Sequence, residues 1–235
     1  GIIVEQKSEV AFYYFQLAEK QENPSAYAAL AYIHLNGIVV KDLQKAHYYF
    51  DKLANLKNSN GFLGLGYIYY NGLGVEKDVK KAIQYYELSA RMGNSEAQLF
   101  LGTFYLSNIV DHSKAISYLL YSAKNQNPNA FYQLGKICTY GIGCDVNYKF
   151  AIEYYEKAAN LNHLESIYTL AKMYQEGIGT DVDISRAIDL YHKCSEIKDN
   201  RVQKYFLKDK KLITSIRSSI YDYISMNELG LIYIT

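Results

Sequence analysis

Residues 65–90 read LGYIYYNGLGVEKDVKKAIQYYELSA, and this pattern decides the fold because it recurs along the sequence. The alanine at position 82 has counterparts at Ala11, Ala46, Ala115, Ala151 and Ala187. Successive alanines in this series are 35, 36, 33, 36 and 36 residues apart. Internal similarity at such a nearly fixed period is typical of a solenoid of stacked repeats. The sequence therefore predicts an all-α solenoid.

Each copy of the pattern predicts a pair of helices. In residues 60–93, Gly61, Leu65 and Tyr69 follow one another at the spacing of one helical face. Gly72 is suited to end that helix, and Asp78 to cap the next one, which is predicted to run roughly to residue 92. The buried stripe of the second helix is predicted to be Ala82, Tyr85, Tyr86, Ser89 and Ala90.

Small residues recur in the first helix of every pair. They stand at Ala31, Gly66, Gly102, Gly135 and Ala171. Glycine inside a helix costs about 1 kcal/mol relative to alanine. Its recurrence therefore predicts that another part of the repeat approaches the first helix closely.

The same periodicity predicts the domain organisation. Residues 1–24 are expected to hold the second helix of a preceding repeat, and residues 25–198 about five full repeats. The repeats are placed near residues 25–59, 60–94, 95–127, 128–163 and 164–198. Residues 199–235 are expected to form an atypical stretch followed by the start of a further repeat helix. Neither end resembles a polar capping repeat, so the sequence is expected to be a piece of a longer protein.

Two copies depart from the pattern. The loop after Gly37 reads IVV and lacks the second glycine, and the third copy is three residues shorter with NIVD at residues 108–111. We expect the shorter loop to change the local curvature of the stack.

Composition and motifs argue against several classes of protein. Lys and Arg number 25 against 24 Asp and Glu, so no overall charge favours nucleic acid. The five histidines form no i, i+4 pair, and the three cysteines (Cys138, Cys144 and Cys194) do not recur with the repeat. No apolar run is long enough to span a membrane. We therefore expect no enzymatic activity, no cofactor, no metal site and no membrane contact from this segment.

The motif residues resemble the Sel-one-like repeat, a branch of the tetratricopeptide-type helical solenoids. The resemblance rests on Leu65-Gly66-x-x-Tyr69-x-x-Gly72-x-Gly74 and Ala82-x-x-Tyr85-Tyr86-x-x-x-Ala90, and it covers nearly all of residues 9–198. It implies a right-handed superhelix of stacked antiparallel helix pairs that acts as a non-catalytic scaffold for protein or peptide partners. Exposed faces at the two ends of such a stack also allow homo-oligomers.

The order of the copies also resembles the Sel-one-L and Hrd-three adaptors of endoplasmic-reticulum-associated degradation. That resemblance implies a luminal adaptor, part of a longer membrane-anchored protein, which recruits misfolded glycoproteins to a membrane ubiquitin ligase. No usable Asn-x-Ser/Thr acceptor is present, because Pro24 blocks the one match at Asn23. The alternative is a scaffold or regulator in another compartment, either in cytosolic signalling or cell-wall regulation or as a bacterial secreted protein.

The candidate binding residues lie between the core positions of the first helices. In related solenoids the first helices line the concave face, so these side chains are expected to point towards a partner. One row comprises Tyr32, Tyr67, Thr103, Lys136 and Lys172. The next turn adds Leu35, Tyr70, Leu106, Thr139 and Gln175. The alternative is an ordinary solvated face; exposed Leu35 and Leu106 beside Tyr70 would favour a protein contact.

Overall fold

The computed structural model describes residues 2–197, apart from the side chains of residues 2–7, 195 and 196. Within that range the protein forms eleven α-helices and one π-helical turn, and no strand. The predicted all-α fold is thereby confirmed. The atypical stretch expected at residues 199–235 lies outside the described residues. The structure divides into two compact units, residues 1–130 and residues 131–235, which are described separately.

The helices follow one another in pairs. A lone helix, α1 (Ile2–Glu19), precedes them. The first helices of the pairs are α2 (Pro24–Asn36), α4 (Ser59–Asn71), α6 (Ser95–Phe104), α8 (Pro128–Tyr140) and α10 (Leu164–Glu176). The second helices are α3 (Leu43–Asn55), α5 (Val79–Arg91), α7 (His112–Lys124), α9 (Tyr148–Asn160) and α11 (Ile184–Glu196).

Every second helix begins at a polar residue that caps its first turn, as predicted for Asp78. The Asp78 carboxylate accepts a hydrogen bond of 2.9 Å from the backbone amide of Lys81, and a cap of this kind is worth about 1 kcal/mol. Equivalent caps are formed by Asp42, Asp111, Asn147 and Asp183. The backbone amide of Asp78 also donates to the carbonyl of Tyr69 at 2.9 Å, which ties the start of α5 to the end of α4. The glycine predicted to end α4, Gly72, has φ 69° and forms its left-handed cap.

The third pair replaces the glycine turn with a π-helical turn, Tyr105–Ile109, directly after α6. Val110 follows with φ 58°, a left-handed conformation that a β-branched residue rarely adopts. The backbone amide of Asp111 still donates to the carbonyl of Tyr105 at 3.0 Å. The shorter loop therefore closes through the same bond as its longer counterparts.

The recurring glycines have the packing reason that the sequence predicts. A Cβ on Gly135 would stand 2.5 Å from the ring of Tyr155, and one on Gly66 would stand 3.0 Å from the ring of Tyr86. In both pairs the missing side chain makes room for a buried tyrosine of the second helix. Tyr86 and Tyr155 are accordingly almost inaccessible to solvent. Tyr85, expected in the same stripe, is only half-buried.

A small polar side chain fills another recurring slot of the second helix. The Ser89 hydroxyl donates to the carbonyl of Ser59 at 2.8 Å, and Ser122 donates to Ser95 in the same way. Cys194 occupies this slot in α11, where its thiol is fully buried and lies 4.0 Å from the carbonyl of Leu164. Burial raises the pKa of the Cys194 thiol to about 12. Cys194 therefore has a structural role, as a small buried residue in the slot that Ser89 and Ser122 fill elsewhere.

Candidate functional site

The two tyrosines of the first predicted row are exposed in the unit of residues 1–130. Tyr32 on α2 and Tyr67 on α4 show 40% and 47% of their surface to solvent. Thr103, at the same position on α6, is half-buried, and its hydroxyl lies within hydrogen-bond distance of the Leu99 and Phe100 carbonyls. The tyrosines therefore present free ring surface, whereas Thr103 bonds to its own helix.

The second predicted row differs from expectation. Leu35 and Leu106 were expected to be exposed, but both are half-buried and pack against clusters of the core. Leu35 lies in the last turn of α2, and Leu106 lies in the π-helical turn after α6. The expectation that these two leucines are exposed is wrong, and their part in a contact site stays a prediction.

Tyr70 is also a member of that row, and it belongs to an aromatic cluster that joins the helix pair α4–α5 to the next pair. Its ring meets that of Phe100 on α6 edge-to-face, with centroids 4.9 Å apart. The ring of Phe100 also stacks on Tyr86 of α5 at 3.9 Å. Contacts of this kind contribute about 0.5–1.5 kcal/mol beyond area burial. Tyr67 and Tyr70 thus lie on a surface backed by rigid rings.

Buried tyrosines of the second helices contact members of the second predicted row, which the sequence does not reveal. In the unit of residues 131–235, the Tyr191 hydroxyl donates to the side-chain oxygen of Gln175 at 2.8 Å. The hydroxyls of Tyr155 and Thr139 lie 3.2 Å apart, and burial raises the pKa of Tyr155 to about 12. Thr139 and Gln175 are therefore held in place from below. In the sequence, Tyr155 is the second tyrosine of a Tyr-Tyr pair, and Tyr191 occupies the same repeat position after Leu190.

The same unit carries the two predicted cations. Lys136 on α8 is half-buried, with its ammonium 5.8 Å from the centre of the Tyr132 ring. Lys172 on α10 is exposed and lies 3.8 Å from a carboxylate oxygen of Glu176. Lys136 thus has a cation–π contact and Lys172 an ion pair, each with a residue of its own helix.

A carboxylate outside the predicted rows, that of Glu96, affects the pKa of Tyr32 in the first row. Glu96, at the start of α6, accepts a hydrogen bond of 2.8 Å from the side-chain amide of Asn127. Burial, and then the charge of Glu96, raise the pKa of the Tyr32 hydroxyl. Glu96 on α6 and Tyr32 on α2 are thus close enough to interact although a whole pair separates them in the sequence.

Neither a candidate metal site nor a membrane-spanning helix is found among the described residues. Across residues 2–197 there is no group of three or more potential metal-ligating His, Cys, Asp or Glu side chains. Among the helices described there, none combines the length and apolar composition that a bilayer crossing requires. His34 stands at the repeat position that Tyr69 occupies in the next copy. It is buried and stacks on Tyr49, with ring centroids 5.9 Å apart, so its role is in the core.

The family model that matches the protein is the Sel1 repeat. It matches six times, over residues 1–23, 24–58, 62–94, 95–127, 128–163 and 164–196. No curated protein is similar enough to count as a relative.

Solved structures of the same architecture come from bacteria. A Sel1 repeat protein from Oxalobacter formigenes superposes with a TM-score of 0.75 at 21% identity, covering 89% of each chain. The protective antigen c5321 of uropathogenic Escherichia coli gives 0.65 at 27% identity, covering 84% of this chain and 44% of its own. The immunity protein Pa5087 of Pseudomonas aeruginosa gives 0.60 at 20% identity, covering 79% and 73%. At these identities the Oxalobacter and Pseudomonas proteins bear on the fold alone.

Proposed function

We propose that this protein, which belongs to the Sel1 repeat family, is a non-catalytic scaffold that binds protein partners through the outward faces of its first helices. Sel1 repeats generally mediate protein–protein interactions. The repeat unit supplies a rigid support, and the residues between its core positions are free to vary from copy to copy.

The exposure of Tyr32 and Tyr67 carries this proposal. Tyrosine at an exposed position offers a large apolar ring and a polar tip at a small entropic cost, which is why it is enriched at binding hot spots. The Tyr32 ring packs edge-to-face on the buried Phe50 at 5.4 Å, and the nearby rings of Tyr70, Phe100 and Tyr86 pack on one another. Rings that are already packed lose little conformational freedom when a partner binds. In the unit of residues 131–235, the lysines at positions 136 and 172 extend the proposal to polar contacts.

Two biological settings follow from the sequence, and the comparisons favour one of them. The Escherichia coli antigen, a bacterial protein, reaches 27% identity. This supports a scaffold or regulator outside the degradation pathway, such as a bacterial secreted protein. The luminal adaptor of a membrane ubiquitin ligase stays the competing hypothesis, resting on the order of the copies.

Affinity capture from the source cells tests both the binding function and its setting. The full protein, carrying an affinity tag, would be recovered with its partners, which mass spectrometry would identify. A multi-spanning ubiquitin ligase together with lectins would establish the adaptor hypothesis. Bacterial envelope or cytosolic proteins would establish the alternative, and the absence of any specific partner would contradict the scaffold function.

Surface variants then test the site. Replacing Tyr32 and Tyr67 with alanine is expected to weaken capture at least tenfold, because hot-spot aromatics contribute about 2 kcal/mol or more each. Reversing the charge of Lys136 and Lys172 together should weaken it as well, while the helical circular dichroism stays unchanged. The control is the double reversal of Lys80 and Lys149, which are exposed on second helices. Equal loss in the control would show a general charge effect and refute the proposed face.

A further inference from the structure

The first helices of residues 1–130 are almost uncharged. Helices α2, α4 and α6 span 13, 13 and 10 residues, and their sequences contain a single Asp, Glu, Lys or Arg, which is Glu96. The π-helical turn after α6 adds none. By contrast, the second helices α3, α5 and α7 carry three, four and two such residues. Glu96 is therefore the one such residue that these first helices themselves contribute.

The rings of this face are suited to a cation. We call the side chains of Tyr32, Tyr67, Tyr70 and Phe100, together with Glu96, the aromatic face. A lysine or arginine is attracted to the face of an aromatic ring within about 6 Å of its centre. The protein already uses this contact here, because the Lys77 ammonium lies 5.6 Å from the centre of the Tyr70 ring. Tyr32 and Tyr67 have exposed rings on neighbouring helices.

The carboxylate of Glu96 is held in position for such a ligand. One of its oxygens accepts from Asn127, a residue only 4% exposed, and Glu96 itself remains exposed. Its backbone amide is fixed by the side chain of Asn94 at 3.1 Å. Phe100 follows Glu96 by four residues, one helical turn along α6, so the two side chains lie on the same side of that helix.

We infer that the aromatic face binds an extended segment of a partner protein that carries one arginine or lysine among apolar residues, with the cation received by Glu96. This rests on the proposed function and specifies its ligand for residues 1–130. An acidic segment would place like charges together. A purely apolar one would bury the Glu96 carboxylate without a cation to balance its charge, which costs free energy. A cation flanked by apolar side chains satisfies both the carboxylate and the rings.

Selection from a random twelve-residue peptide library displayed on phage, with the full protein as bait, tests this inference. Selected peptides are expected to share a single Arg or Lys next to aromatic or aliphatic residues. Each would be synthesised with a fluorophore, and its Kd would be measured by fluorescence polarisation. For each selected peptide, a second version in which norleucine replaces the basic residue serves as the uncharged control.

Glu96→Gln is the informative variant, because the amide oxygen can still accept from Asn127 while the charge is lost. This variant is expected to raise the Kd of the basic peptide about tenfold, which is the size of a lost charge-assisted contact. The Kd of the norleucine peptide is expected to stay unchanged. Glu165→Gln is the matched control, since Glu165 is the second residue of α10 as Glu96 is of α6. Circular dichroism would check that each variant is folded.

The outcomes separate this inference from the proposed function. Selected peptides without a basic residue, or equal affinities for wild type and Glu96→Gln, would overturn the inference. In that case, loss of peptide binding in Tyr67→Ala would still support the binding face. Basic peptides insensitive to both Glu96→Gln and Tyr67→Ala would refute the aromatic face as the site. Failure to select any peptide would also overturn the inference, whereas the capture of folded partners tests the scaffold function independently.

Discussion

Replacing Gly61 with alanine should loosen the contact between two successive helix pairs. Gly61 lies on α4, and a Cβ at this position would stand 2.7 Å from both the carbonyl carbon and the Cβ of Leu53 on α3. It would lie closer still to the backbone nitrogen of Ala54. Ordinary van der Waals contact begins at 3.4 Å, so α3 and α4 would have to separate by at least 3.4 − 2.7 = 0.7 Å. The obstacle is largely backbone, which has no rotamer to change.

Two opposing terms set the size of the effect. Overpacking of a well-packed contact costs about 1–3 kcal/mol, and the upper end applies because backbone atoms are involved. Alanine in place of glycine inside a helix returns about 1 kcal/mol. The net loss in the free energy of unfolding is therefore about 2 kcal/mol. For a protein of this size that lowers Tm by roughly 4–8 °C.

Thermal unfolding followed by circular dichroism at 222 nm measures this change, with Gly66→Ala as the control. Gly66 lies on the same helix and gains the same propensity, but its nearest contact is the Tyr86 ring at 3.0 Å. A ring can shift by a few tenths of an ångström, so we expect Gly66→Ala to stay within about 1 kcal/mol of the wild type. If Gly61→Ala melts no lower than Gly66→Ala, the close approach of α3 and α4 would be refuted.

Three further predictions concern other parts of the molecule. A thiol reagent at pH 8 should modify the exposed Cys144 readily and Cys194 only after unfolding, because burial raises the pKa of Cys194 to about 12; fast labelling of both in the folded state would contradict this. The same shift means that the unfolded thiol ionises first, so the stability contributed by Cys194 is complete below about pH 9 and falls as pH rises towards 12. Ser89→Ala should cost about 1–2 kcal/mol in urea unfolding, because a buried carbonyl loses its donor; an unchanged midpoint would refute that. A double-mutant cycle between Arg186 and Glu156, 2.6 Å apart and partly exposed, should give a coupling of about 0.5–1 kcal/mol that weakens in 1 M salt; coupling independent of salt would exclude an ion pair.

The fold could be predicted because the same residue types recur at the same positions in successive repeats. Gly72 and Asp78 mark where one helix ends and the next begins, and both form the caps expected of them. The glycine at position 66 indicated a close approach, and the ring of Tyr86 occupies that space. These signals are local, so a single sequence contains them.

The candidate site was less predictable because it depends on directions in space. Periodicity places Tyr191 in the core, but it does not show that its hydroxyl reaches Gln175 on the first helix. Likewise, helical spacing puts Leu35 on the outer face without revealing that it packs against a cluster of core residues. The interaction of Glu96 with Tyr32 joins residues two pairs apart, and such contacts depend on how the pairs stack.

The π-helical turn bears on how the protein tolerates insertions and deletions. The bond from the cap of the second helix to the first helix spans nine residues between Tyr69 and Asp78, but six between Tyr105 and Asp111. The wider turn takes up the three-residue difference before the bond is formed. A difference in loop length is thus accommodated within one helix pair, and the bond that joins its two helices is kept. Copies of the repeat can therefore differ in length and still join their helices through the same bond.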